Sequence, residues 1–184
     1  IAALCCFTPV LVVLLGAVGL SAWLGWLDYV LLPALAFFVA LGLFGRSQVR
    51  RGEVTVLEDY YNANPDSLRQ LLEFVGELSW PGRKVAILGS MKELGPQSDE
   101  AHRLIGALAG RVSLQGLFLF GEEMQAAFAA AREAGFAGLL RWTAEFGDLC
   151  GAVKAFVRSG DLVLIKGSRT LELERLVPEL APAA

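Results

Sequence analysis

The sequence predicts a transmembrane two-helix hairpin over residues 1–45, followed by an α/β domain over residues 46–184. The first reason is charge, because 34 of the 35 charged residues follow Gly45 and only Asp28 precedes it. The second is length, since about 20 apolar residues are needed to cross a bilayer core. The third is the alternation of short apolar runs with amphipathic segments after residue 46, which is typical of α/β domains.

The predicted hairpin has two spans, over about residues 1–20 and 29–44, joined by a Trp-rich turn. Asp28 fits the N-cap of the second span, although a carboxylate at this place could also attract a cation. Three arginines follow the second span, and basic residues stay on the cytoplasmic side of a membrane. We therefore expect the lipid bilayer as a partner, with both hairpin ends and the following domain in the cytoplasm. A buried hairpin in a soluble core and a cleaved signal peptide are the alternatives, which fit so long an apolar run less well.

Two adjacent cysteines, Cys5 and Cys6, lie four and three residues before Pro9 in the first span. Proline lacks an N–H group and loosens the preceding helical turn. Adjacent thiolates on a helix point in different directions, so both can reach one ion only if the helix relaxes in this way. Thiolates select soft metals, and Hg²⁺, which accepts two thiolates in a line, is the softest candidate. The alternative is that both cysteines act as small apolar residues in lipid.

This first part resembles the MerF family of small two-helix mercuric-ion transporters. The resemblance is carried by residues 4–11, 15–21 and 27–36. It implies that Cys5 and Cys6 carry Hg²⁺ across the bacterial inner membrane and pass it on to other mercury-handling proteins. Members of the family have a second vicinal cysteine pair after the second span, whereas the one other cysteine of this chain is Cys150.

After residue 46 the sequence predicts strands that alternate with helices. The strands are expected near residues 54–57, 84–89, 117–121, 139–142 and 161–167. Five helices are expected: one that starts at Asn64, one over about 98–112, one that ends at about residue 134, one over about 144–158 and one over about 171–180. Such alternation indicates a Rossmann-like, mostly parallel sheet with helices on both faces. The continuous apolar strands agree, because a parallel sheet is buried on both sides.

Candidate binding residues occur where the predicted strands end, which is where open parallel sheets bind ligands. They are Asp59, Asn62 and Asn64 after the first strand, His102 on the helix after the second, and Lys166, Ser168 and Arg169 after the last. Lysine, serine and arginine at a strand-to-helix turn can hold phosphate oxygens together with a helix N-terminus. The alternatives are turn and cap roles for the asparagines, ordinary surface charge for Lys166 and Arg169, and a surface or helix-packing role for His102.

These segments together resemble the C-terminal domain of the Mur ligase family, and in particular of MurF ligases, which use ATP to add D-alanyl-D-alanine to a UDP-N-acetylmuramoyl tripeptide. The matching stretches, in order, are residues 45–49, 59–65, 88–95, His102 and 160–169. The resemblance implies that the domain closes over ATP and helps to seat the incoming dipeptide, with the residues at the strand ends as a vestigial nucleotide or substrate site. Ser90 departs from the usual aspartate of the family and Tyr60 from the usual small residue.

The sequence does not predict a complete enzyme. Phosphoryl transfer requires a phosphate cradle and a Mg²⁺ site, and no GxxxxGK[ST] motif occurs in the 184 residues. We therefore expect no turnover from the chain as it stands and no tight binding of ATP. The net charge of −3 without a basic patch argues against nucleic acid as a partner.

The two resemblances meet abruptly near residue 45, with no linker between them. This junction favours an engineered fusion, in which Hg²⁺ transport is the native activity and an inactive Mur ligase domain is the attached part. The alternative is a membrane-tethered fragment of the D-alanyl-D-alanine-adding ligase of peptidoglycan synthesis. A structural scaffold without retained activity is the third hypothesis.

Overall fold

The computed structural model describes residues 48–51, 53–59 and 63–180, all of which belong to the second of the two units into which the chain divides, Arg46–Ala184. They form a six-stranded sheet with strand order β1-β2-β6-β3-β4-β5. The strands are β1 (Gln48–Arg51), β2 (Thr55–Asp59), β3 (Lys84–Gly89), β4 (Gly116–Phe120), β5 (Leu139–Thr143) and β6 (Leu162–Lys166). All neighbouring strands are parallel except β1, which runs antiparallel to β2.

Helices cover both faces of this sheet. They are α1 (Pro65–Glu77), α2 (Ser98–Ala109), α3 (Met124–Glu133), α4 (Phe146–Phe156) and α5 (Val177–Leu180), with 3-10 turns at Gly95–Gln97, Arg169–Leu171 and Leu173–Leu176. Alternate residues of each central strand enter opposite cores, because successive side chains of a strand point to opposite faces. Ala86 and Leu88 of β3 pack with α1, α2 and α3, whereas Val85 and Ile87 pack with α4 and α5.

The predicted α/β architecture, a mostly parallel sheet with helices on both faces, is confirmed. All five predicted strands are present within two residues of the expected bounds. The strand β1 was not predicted, because Gln48–Arg51 contains a single apolar residue, Val49. The predicted helix over residues 171–180 is instead two 3-10 turns and one short α-helix, since Glu172 between the turns has a left-handed backbone (φ +49°) that a continuous helix does not allow.

The transmembrane part of the predicted fold class has to be corrected. Among the described residues no helix is long and apolar enough to cross a membrane. The longest of them, α1, has 13 residues, against about 20 for a span. The hairpin predicted over residues 1–45 lies outside the described residues, so the fold class supported here is the α/β domain alone. The predicted inner-membrane localisation depended on that hairpin and is corrected with it.

Candidate functional site

The carboxyl ends of β2, β6 and β3 lie side by side in the middle of the sheet. In the strand registers, Lys166 at the end of β6 is opposite Asp59 of β2 on one side and Leu88 of β3 on the other. This edge is where an open α/β sheet offers a crevice for ligands, because the connections leave the strands toward different faces. The predicted site residues at the ends of the first and last predicted strands are therefore neighbours in space.

Lys166 and Asp59 form an ion pair at this edge, with 2.7 Å between Nζ and Oδ2. The lysine side chain is 1% exposed and the aspartate side chain 22%, so the cation is internal and the carboxylate reaches the surface. Lys166 is therefore not an ordinary surface charge. Because a buried ammonium group is stable only with hydrogen-bonding partners, the pair fixes the direction in which Asp59 points.

Two glycines allow the ends of β3 and β6 to approach each other closely. A Cβ atom on Gly167 would lie 3.1 Å from Cα of Gly89 and 2.6 Å from Cδ1 of Leu173. A Cβ atom on Gly89 would lie 2.5 Å from Cδ1 of Leu171. A side chain at either position would push the two strand ends or the following 3-10 turns apart, so the glycines set the width of this edge.

The loop after β6 is attached to the loop after β3 by backbone hydrogen bonding. The N–H of Ser168 donates to the carbonyl oxygen of Ser90 over 3.3 Å. Ser168 also precedes the 3-10 turn Arg169–Leu171, and its carbonyl accepts from the N–H of Leu171 over 3.0 Å. Ser168 is thus half-buried and held in place, whereas Arg169 beside it is exposed.

His102 lies on α2 behind this edge and is completely buried. Its Nε2 atom accepts a hydrogen bond from the backbone N–H of Met91 over 3.0 Å. Its Nδ1 atom lies 2.7 Å from the carbonyl oxygen of Ser98, to which it donates. Since a backbone N–H only donates, the imidazole is neutral with its proton on Nδ1. The residue packs a helix against a loop and does not face the surface.

Apart from His102, the predicted residues divide into three groups. Asp59 and Lys166 pair at the sheet edge, and Ser168 and Arg169 follow Lys166 in the next loop, where Arg169 is exposed. Asn64 is the N-cap of α1, where its Oδ1 accepts from the N–H of Ser67 over 2.8 Å and the chain continues with Pro65. The remaining candidates, Asn62, Cys5 and Cys6, lie outside the described residues.

A second charged contact at this end of the sheet was not predicted. Lys92, in the loop after β3, pairs with Glu123 just before α3, with 2.5 Å between Nζ and Oε1. The other carboxylate oxygen of Glu123 is buried and makes no hydrogen bond with any described residue. Burial alone would raise the pKa of Glu123, but Lys92, the backbone N–H of Glu123 and the nearby Ser90 hydroxyl favour the ionised form and lower this pKa to about 2. The sequence signal that could have predicted this ion pair is a charged residue after each of the neighbouring strands β3 and β4, namely Lys92 and Glu123.

This lowered pKa predicts a loss of stability in acid. A carboxyl group whose pKa is lower in the folded than in the unfolded state stabilises the fold. For Glu123 this stabilisation is fully present at pH values above the unfolded-state pKa of 4.5, and it is lost as the pH falls toward the folded-state pKa of about 2. Because both side chains are about one-third exposed, we expect Glu123→Gln to cost about 1 kcal/mol at pH 7 and nearly nothing at pH 2. Urea unfolding at the two pH values measures it, with Glu122→Gln at an exposed neighbouring position as the control. An equal loss at both pH values would contradict the prediction.

Comparison with known proteins agrees with this fold. The family model of the Mur ligase, glutamate ligase domain, matches residues 45–169. The chain therefore belongs to the Mur ligase family through this domain. A Treponema pallidum UDP-N-acetylmuramoyl-tripeptide–D-alanyl-D-alanine ligase is 39% identical over 140 residues, covering 74% of this chain and 30% of the relative. A Bacillus subtilis ligase of the same description is 30% identical over 127 residues, covering 69% and 28%.

Solved structures lead to the same family. The MurF ligase from Thermotoga maritima, determined in complex with ADP, superposes with a TM-score of 0.60 at 29% identity, covering 74% of this chain and 30% of that chain. A MurF structure from Acinetobacter baumannii, at 24% identity and a TM-score of 0.61, supports the fold alone. The chain thus spans about 30% of the length of these relatives, and the homology supports a Mur ligase fragment better than it supports a mercury transporter.

A second family model, membrane transport protein MerF, matches residues 8–52. This match is short, begins after Cys5 and Cys6, and overlaps the Mur ligase match over residues 45–52. The overlap includes β1, which pairs with β2 in the sheet of the α/β domain. The end of the MerF match is therefore structurally part of the Mur ligase domain, and Hg²⁺ transport as the main function has no support beyond this match.

Proposed function

We propose that the described domain acts as the C-terminal domain of a D-alanyl-D-alanine-adding ligase and contributes one wall of the ligand site. The observation that carries the proposal is the buried Lys166–Asp59 pair at the carboxyl edge of the sheet. Burying a lysine to hold a partly exposed aspartate costs desolvation free energy, and we take the fixed orientation of that aspartate as the function that this cost serves. The sequence relatives, which are ligases of this description over the same segment, support the assignment.

The side chains at the carboxyl edge of the sheet suit a ligand that carries both a positive and a negative charge. Asp59 offers carboxylate oxygens to an ammonium or hydroxyl group, and Arg169 offers a guanidinium group to a carboxylate or phosphate. Ser168 is half-buried in the same loop, and its hydroxyl, which accepts from the Thr170 hydroxyl over 3.3 Å, can also donate. A dipeptide with free termini has an ammonium and a carboxylate group, so D-alanyl-D-alanine is the substrate portion that this wall would contact. The transfer of a phosphoryl group would take place in the remainder of a ligase.

Binding can be tested on the whole chain by NMR titration with D-alanyl-D-alanine and, separately, with ADP. We expect the dipeptide to shift the backbone amide signals of residues 59 and 166–169. Lys166→Met removes the charge that orients Asp59 and is expected to weaken binding about tenfold, the size of one charge-assisted contact. The matched control is Lys154→Met, whose exposed lysine pairs with Glu179 on the surface. Absence of shifts, or equal weakening by both variants, would contradict the proposal.

A second candidate function is Hg²⁺ binding by the adjacent thiols of Cys5 and Cys6, which lie just before the MerF family match over residues 8–52. Two thiolates bind Hg²⁺ far more tightly than one, because this soft ion prefers two sulfur ligands. Titration with Hg²⁺ in the presence of excess monothiol should detect one retained equivalent, which Cys5→Ser with Cys6→Ser removes. Cys150→Ser is the matched control, since Cys150 is a free, half-buried thiol on α4. Retention of the equivalent by the double variant would exclude this function.

A further inference from the structure

One peptide group connects α2 to the loop after β6. The bond between Ser90 and Met91 carries the Ser90 carbonyl, which accepts from the N–H of Ser168 over 3.3 Å, and the Met91 N–H, which donates to Nε2 of His102 over 3.0 Å. A peptide group is planar, with its C=O and N–H pointing in opposite directions. Whatever fixes the direction of its N–H therefore fixes the direction of its carbonyl as well.

The imidazole of His102 is itself held by a second bond. Its Nδ1 donates to the carbonyl of Ser98 over 2.7 Å, and the Ser98 hydroxyl lies 3.3 Å from the same nitrogen. Both ring nitrogens are used and the side chain is fully buried, so the ring cannot turn without leaving a buried polar group unsatisfied. The acceptor offered to Met91 is therefore fixed relative to α2.

Ser90 is also attached to β4 by contacts that do not depend on the orientation of the Ser90–Met91 peptide. Its N–H donates to the carbonyl of Phe120 over 2.9 Å, and its hydroxyl lies 3.4 Å from that oxygen. The next backbone carbonyl, that of Ser90 itself, is the one that reaches Ser168. A rotation of the Ser90–Met91 peptide would keep the contact with β4 and lose the contact with the β6 loop.

We propose that His102 is a positioning residue, which holds the Ser90–Met91 peptide so that its carbonyl fixes Ser168 at the sheet edge. The imidazole does not touch the ligand and acts through one peptide group. Its effect on ligand binding rests on the function proposed above for that edge, whereas its effect on the Ser168 amide does not. A residue that merely filled space would show no preference for an acceptor at Nε2.

Two substitutions separate the two ring nitrogens. His102→Gln places an oxygen at the same number of bonds from Cα as Nε2 and keeps an acceptor for Met91. His102→Asn places an amide nitrogen at the same number of bonds from Cα as Nδ1, so it keeps a donor for the Ser98 carbonyl. It leaves the Met91 N–H without its acceptor. In the whole chain, hydrogen exchange of the Ser168 amide is expected to be about tenfold faster in His102→Asn and close to wild type in His102→Gln. The affinity for D-alanyl-D-alanine should follow the same order.

The outcomes are distinct. Equal Ser168 exchange in wild type and His102→Asn would overturn the proposal, as would equal acceleration in both variants together with loss of protection throughout the domain. If His102→Asn fails to fold, the wild type still decides, because the chain has a single histidine and its ¹⁵N signals are unambiguous. A proton on Nε2, or no coupling across the Met91–His102 hydrogen bond, would overturn the proposal. If wild type binds no dipeptide, the proposed function fails while the exchange result still tests His102.

Discussion

Replacing Gly106 by alanine is expected to destabilise the domain by about 3 kcal/mol, the upper range for overpacking a core. Gly106 lies within α2, where helix propensity alone predicts that alanine would stabilise by about 1 kcal/mol. Packing overrides this preference, because a Cβ atom would lie 2.1 Å from the carbonyl oxygen of Ala127 and 2.5 Å from its Cα. Both atoms belong to the backbone of α3, so relief requires the two helices to separate. Urea unfolding monitored by circular dichroism measures the change.

The matched control is Gly151→Ala in α4. An added Cβ at Gly151 meets nothing within 4 Å, and the residue is exposed. Here the propensity term acts without a clash, and we expect a stabilisation of about 0.5–1 kcal/mol. Opposite signs for the two substitutions would establish the close contact between α2 and α3. A stabilising Gly106→Ala would show that this contact is wider than described.

Replacing Asp59 by alanine is expected to cost about 3 kcal/mol, because the buried ammonium group of Lys166 loses the ion pair with the Asp59 carboxylate. The expected effect is unequal for the two partners. Lys166→Met removes the buried charge and keeps an unbranched side chain of similar length, while Asp59, at 22% exposure, can turn to water. We expect this second substitution to cost about 1 kcal/mol.

A double-mutant cycle isolates the pair. Asp59→Ala together with Lys166→Met should cost clearly less than the sum of the two single changes, because the double variant no longer buries the Lys166 ammonium group. Unfolding in urea at pH 7 gives the three free energies. Additive effects of the two substitutions would indicate that the ion pair contributes no coupling, and the orientation of Asp59 would then need another cause.

Much of the fold could be predicted from apolar periodicity. Strands such as Lys84–Gly89 and Leu162–Lys166 are continuous apolar runs of strand length, and α1 begins at an Asn-Pro pair whose cap geometry is local in sequence. The edge strand β1 escaped prediction because it is short and polar and is defined by its pairing with β2. The interruption of the helix predicted after β6 was not predicted, because the left-handed backbone of Glu172 leaves no signal in the apolar pattern.

The sequence predicted which residue types lie at the strand ends of the candidate site. It could not predict the contacts between them. Asp59 and Lys166 are 107 positions apart, and their pairing follows from β6 lying between β2 and β3. That strand order depends on the way the crossovers are arranged in space, which spacing along the chain does not encode. The burial of His102 and the pairing of Lys92 with Glu123 depend equally on how α2 and α3 pack.

A ligation assay with a grafted enzyme tests whether this domain can serve in a D-alanyl-D-alanine-adding ligase. Residues 46–184 of this chain would replace the corresponding C-terminal segment of the Treponema pallidum ligase, which is 39% identical over the matched region. We expect ATP-dependent joining of D-alanyl-D-alanine to the UDP-N-acetylmuramoyl tripeptide, which Lys154→Met retains and Lys166→Met strongly reduces. A folded graft without ligation, or one in which Lys166→Met is as active as the unsubstituted graft, would contradict it.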